Sequence, residues 1–303
     1  MKSVTVTGSP EKTGLSLLLT HGAQVVLATV LLTLRSIHFG ILRLAGRPVP
    51  WTFVVLMYHS VKAEDVAGFS RQMDLLKRHT CVVGADFPGT SALPGRRYSA
   101  LTFDDGFESF AQNVLPVLQE KGMPATVFVA TRFIGGTPGW TSDQRPRGPV
   151  ERLLGEDEIK ALAEEGLAAV GSHSVSHRRL SRAVLSAEEI WFELVESKRH
   201  LETMLGREVT MFALPYGAFD EEVLRAAREA GYHRVFLSEP LGSLTNIDRH
   251  VVGRIDVEPT DSRFFFGLKV LGAYQFLPFA IAVKARISAW IKRIGRSGSG
   301  NRV

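Results

Sequence analysis

Two carboxylates stand side by side in Thr102-Phe103-Asp104-Asp105-Gly106, where an apolar run ends. Their charges repel in a partly dehydrated site. A divalent cation that binds one of them relieves the repulsion and leaves the other free to act as a base. A turn also accounts for Asp-Gly, although a turn needs only one such residue. A second cluster is Gly171-Ser172-His173-Ser174-Val175-Ser176-His177. Two histidines four apart can converge on one metal if the residues between them make a turn or a helical step. A single histidine would more often be structural. Two at this spacing among small residues point to metal. With one aspartate they make a two-histidine, one-carboxylate set with open positions for water and substrate, suited to Zn²⁺ and to other first-row cations.

Two further clusters are weaker on their own. Leu214-Pro215-Tyr216-Gly217 ends a strand with rigid backbone and one N–H at the rim, although composition alone reads it as a strand-to-helix turn. In Leu56-Met57-Tyr58-His59-Ser60 a histidine sits where an apolar run meets a polar loop. A lone histidine is usually not catalytic, so His59 needs outside support. The single cysteine, Cys81, excludes an internal disulfide and a multi-cysteine metal site.

These residues must be positioned by the elements around them. Short β-rich runs fall at 52–58, 80–83, 99–104, 125–130, 167–172, 210–215, 233–237 and 250–255. Helical patterns alternate with them. One opens at Ser186 with Glu189 three residues on, a capping box, and carries Ile190, Leu194, Leu201 and Leu205 at helical spacing. Another follows Asp220, buries Val223, Leu224 and Ala227, and stops at Gly231. Alternating strands and helices predict a parallel sheet, here an α/β fold built as a distorted (β/α) barrel of about seven to eight strands. Chemistry in such barrels gathers at the C-terminal strand ends, where the polar clusters fall.

The 303 residues, 45% apolar and 22% charged, suffice for one large domain with appendages. Net charge is +5, and the basic residues crowd two apolar ends: Arg35, Arg43 and Arg47, then Lys284, Arg286, Lys292, Arg293 and Arg296. That placement fits anionic lipid better than nucleic acid, which is not an expected partner. Residues 15–34 are as long as a bilayer-spanning helix. The predicted division is a disordered 1–14, a membrane-associating helix region at 15–48, a catalytic domain at 49–260, and an apolar-basic interfacial segment and tail at 261–303. Arg35, Arg43 and Arg47 outweigh Lys2 and Lys12, which puts the domain on the cytoplasmic side of a bacterial-type inner membrane.

TFDDG, then HSVSH, then a Pro-Tyr-Gly turn, over roughly residues 52–256, resembles the polysaccharide deacetylases of carbohydrate esterase family four. The early LMYHS run is similar to the circularly permuted branch, as in poly-N-acetylglucosamine deacetylases. The resemblance implies a hydrolase that removes an N-acetyl or N-formyl group from an amino sugar of a polysaccharide or lipid-linked glycan. It implies Asp104 as general base, and Asp105, His173 and His177 as ligands of one divalent ion, zinc first, with cobalt or nickel accepted. It implies the Tyr216 N–H as an oxyanion donor and His59 as the acid that protonates the leaving amine. Two departures stand out. The arginine that steadies the base in many members is replaced by the stretch Phe212, Ala213 and Leu214, and Arg254 in VGRID is the candidate to take its place from another strand. The late Leu-x-His motif is absent, and His250, next in line as the acid, stands in a different context. The alternative reading is a catalytically silent carbohydrate-binding or assembly module. Binding alone does not require both carboxylates.

Overall fold

The computed structural model describes residues 14–141, 150–240 and 250–276. All of the predicted disordered 1–14 except Gly14, and most of the tail, therefore lie outside the described residues. Helix α1 (Gly14–Leu44) leads into β1 (Thr52–Tyr58), α2 (Val66–His79), β2 (Cys81–Val82) and β3 (Arg97–Phe103). There follow α3 (Leu115–Lys121), β4 (Ala125–Val129), α4 (Glu156–Glu164), β5 (Ala168–Ser172) and α5 (Ala187–Leu205). The described chain ends with β6 (Met211–Ala213), α6 (Glu221–Glu229), β7 (Arg234–Phe236), β8 (Val251–Val252), β9 (Ile255–Asp256) and α7 (Arg263–Val270).

Every residue of β1 is buried, as expected of a strand covered on both faces. Phe53 and Val55 face inward and join Phe128, Ala213 and Phe236. Val54, Leu56 and Tyr58 face outward and pack with Phe69 and Met73 of α2. The strands pair in parallel in the order β8-β7-β6-β5-β4-β3-β1-β9, with β2 beside β3. The helices cap as their sequences require. Ser186 and Glu189 form the capping box of α5, and Asp220 Oδ1 accepts from Val223 N–H at the start of α6.

The run 250–255 reads in sequence as one strand, and it is two. Val251–Val252 pairs with β7, whereas Ile255–Asp256 pairs with β1 at the opposite end of the sheet. Only Gly253 and Arg254 separate them. Three Cα steps of about 3.8 Å hold the two ends within about 11 Å of each other. The sheet therefore curls until its ends meet, but β8 and β9 are not hydrogen-bonded to each other. The barrel is incompletely closed, and Arg254, wholly buried, fills the seam.

Of the segment predicted as interfacial from 261 onward, residues 261–276 are described. Phe266 and Val270 of α7 belong to the main core, and Leu268 and Ala273 pack with Ala28 of α1. These four residues serve the domain's own packing, whereas Phe264 and Phe265 are exposed.

Candidate active site

The site lies at the C-terminal strand ends, where loops leave β1, β3, β5 and β6. Asp104 follows β3, and its N–H bonds to Tyr58 O at 2.9 Å, so His59 follows β1 across from the aspartate pair. Asp105 takes a left-handed backbone (φ 71°), and Gly106 another (φ 73°). A Cβ on Gly106 would sit 3.3 Å from Val129, so glycine answers both the turn and the close approach. The non-glycine residues with positive φ among those described are Asp105, Ser174, His177 and Tyr216. All four gather here, and such backbone persists where its surroundings over-determine it.

Asp105, His173 and His177 are buried and offer ligand atoms within 4.8 Å of one another. His177 Nε2 is 3.1 Å and His173 Nε2 3.5 Å from Asp105 Oδ1. His173 Nδ1 lies 2.8 Å from Ala213 O, which requires its proton on Nδ1 and leaves a lone pair on Nε2. Burial, opposed by Asp104, lowers the His173 pKa to about 4. The ring is thus the neutral imidazole that ligates metals. Its lone pair faces Asp105 Oδ1, which has no hydrogen-bond partner in its buried position. Lone pairs aimed at one another in a dry pocket fit a cation between them. The donor set suits a first-row divalent ion.

Asp104 is held differently. Burial would raise its pKa, but Arg254, with lesser help from His173 and His59, lowers it to about 2. Arg254 Nη1 and Nη2 donate to Asp104 Oδ1 and Oδ2 at 2.5 and 2.6 Å. Arg254 Nε donates to Leu237 O, and the guanidinium lies over Phe128 and Phe236. Asp104 is thereby a carboxylate in a water-poor setting, matched by one cation in a bidentate clamp.

Tyr216 sits in the turn Pro215–Gly217 with φ 57°, and that turn is closed by bonds from Gly217 N–H and Ala218 N–H. Its ring is half exposed, 4.8 Å from that of His177. His59 is exposed at the mouth. His250 does not join these residues. It precedes β8 at the N-terminal strand ends, with Nδ1 3.2 Å from His233 O.

The structure adds two residues that sequence reasoning missed. Trp140 stacks on His177 at 4.1 Å and walls a cavity of about 340 Å³ that Arg132, Arg179 and Tyr216 also line. A lone tryptophan in a loop carries no sequence signal. Glu193 of α5 accepts bonds from the loop between the two histidines. Its signal was legible, since a glutamate falls on the apolar stripe of Ile190, Leu194 and Leu201.

Residues 93–235 match the family model described as polysaccharide deacetylase. That stretch, just under half of the chain, is similar to a polysaccharide deacetylase domain. Asp104, Asp105, His173, His177 and Tyr216 lie inside the matched span, and His59 and Arg254 flank it on either side. Among sequence relatives, YxkH of Bacillus subtilis (strain 168) is 28% identical over 174 residues, covering 57% of this chain and 56% of that protein. The poly-beta-1,6-N-acetyl-D-glucosamine N-deacetylase of Staphylococcus aureus (strain MRSA252) is 24% identical over 161 residues, 51% of this chain and 52% of its own length. The chain thus spans about half the length of these curated relatives. Among solved structures, IcaB from Ammonifex degensii shares the deacetylase domain's fold with a TM-score of 0.61 at 23% identity, covering 74% of this chain and 97% of that one.

Proposed function

We propose that the chain is a metal-dependent hydrolase that removes an N-acetyl or N-formyl group from an amino sugar of a glycan. The observation that carries this reading is the buried Asp105, His173 and His177 set beside a carboxylate clamped by arginine. Those three residues would hold one divalent ion, zinc first, which when bound acidifies water and polarises the amide carbonyl. Asp104 accepts the proton of the attacking water, and Arg254 fixes which way its oxygens face. The Tyr216 N–H donates to the carbonyl oxygen as negative charge grows there, a bond worth most in the transition state. His59 delivers a proton to the departing nitrogen, since an amine anion is not a viable leaving group. His173 keeps its proton on Nδ1 against Ala213 O throughout. Both carboxylates being present speaks against a silent binding module.

The substrate reading leans on the relatives, one of which is named for a β-1,6-linked N-acetylglucosamine polymer. A lipid-linked amino sugar is the second reading, because α1 presents apolar side chains outward and Val25–Leu44 is long and apolar enough to cross a membrane. The other face of α1 packs on the domain through Val25, Ala28 and Leu32, and Arg35 donates to Leu271 O. A spanning α1 would drag the Leu268–Tyr274 region, beside the Lys269–Asp261 ion pair, into lipid. We therefore read α1 as lying on the membrane surface.

Mass spectrometry of acyl release from N-acylated polymers and lipid-linked amino sugars, with chelated and zinc-loaded protein, tests the reading. Release from at least one class, only with metal, is expected. Release from none of them by folded, zinc-loaded protein contradicts it.

A further inference from the structure

We infer that Glu193 is a positioning residue for the metal site: it fixes the ligating conformation of the His173–His177 loop. The inference rests on the metal reading above.

A glutamate on the buried stripe of α5, 3% exposed, is costly unless its oxygens are satisfied. Here they are satisfied entirely by the loop that carries the ligands. Oε2 accepts from Val175 N–H at 2.9 Å and from Ser176 N–H at 2.8 Å, and Oε1 accepts from Ser176 Oγ. The same peptide segment is held on its other side by Thr131 N–H on Ser174 O and Arg132 N–H on Val175 O. The loop is thus gripped by its amides through one side chain and by its carbonyls through backbone. Its left-handed residues, Ser174 (φ 67°) and His177 (φ 54°), flank the gripped peptides. Such backbone costs energy and relaxes if the grip is lost. His177 Nδ1 is buried without a hydrogen-bond partner, so its ring takes its aim from this backbone and from Trp140 and Tyr216 packed on it.

Outer carboxylates of this kind tune metal affinity by about 10–100-fold.

The test measures zinc affinity of the full chain by chelator competition, alongside unfolding of the metal-free protein. The variant is Glu193→Leu, which keeps a side chain of similar size on the apolar stripe and removes both acceptor oxygens. We expect zinc to bind about 10–100-fold more weakly, and the absorption bands of the cobalt-loaded variant to shift. Affinity within about twofold of the parent and unchanged cobalt bands would overturn the inference. If Glu193→Leu does not fold, Ser176→Ala removes one donor and should weaken zinc in the same direction, less strongly. Equal affinity there overturns the inference too. Failure of the parent chain itself to bind zinc would instead sink the metal reading on which it rests.

Discussion

Burial works against the charge on Asp104, and Arg254 is what keeps it. Its folded-state pKa of about 2 lies below the ordinary aspartate value of about 3.9. A depressed carboxylate contributes stability that is present above the unfolded pKa and lost as pH falls through the folded one, here between about pH 4 and pH 2. In Arg254→Met the desolvation penalty remains and the clamp is gone, so the sign reverses and Asp104 resists ionising. The variant should lose about 3–5 kcal/mol at neutral pH, the scale for stranding one partner of a buried pair. The loss should shrink as pH falls from about 7 to about 4, and Arg254→Met with Asp104→Asn should recover part of it. Denaturant unfolding across that range measures this, and a pH-independent loss would refute the coupling. Activity should fall with the clamp, because the base loses its orientation.

At the scale of elements, the strands were legible because burial on both faces writes itself as continuous apolar runs, as in β1. The helix starts at Ser186 and Asp220 were legible because capping residues bond locally. The split of β8 from β9 was not. Val251-Val252-Gly253-Arg254-Ile255 reads as one run, and only the curling of the whole sheet brings Arg254 to the seam. The candidate ligands were legible from residue type and spacing, and the structure brings Asp105, His173 and His177 together. Their orientation was not, since it depends on Ala213 O, on left-handed backbone, and on Glu193 from a helix downstream. His250 looks usable from sequence, but strand direction puts it at the opposite end of the barrel.

Taken whole, the described residues set the candidate site's mouth on a domain to which an apolar helix is docked. The docked face of α1 uses Val25, Ala28 and Leu32. The outward face carries Val26, Val30, Leu34, Ile37, Ile41 and Leu44, all at least 48% exposed. A continuous apolar stripe of this kind marks a surface meant to be covered. Replacing Leu34, Ile37 and Ile41 together by glutamate leaves the docked face intact. That variant should fold and lose most of its binding to anionic liposomes in co-sedimentation. Undiminished binding would show that α1 is not the lipid-facing element.

The metal claim bears the most weight, and metal content per folded chain tests it most directly. After zinc loading and removal of excess, the parent chain should hold about one ion. His177→Ala should lose it, and His59→Ala should keep it, since on the proposed mechanism His59 moves a proton and is no ligand. One ion per chain retained in a His173→Ala, His177→Ala double variant, or none in a folded parent chain, would contradict the account.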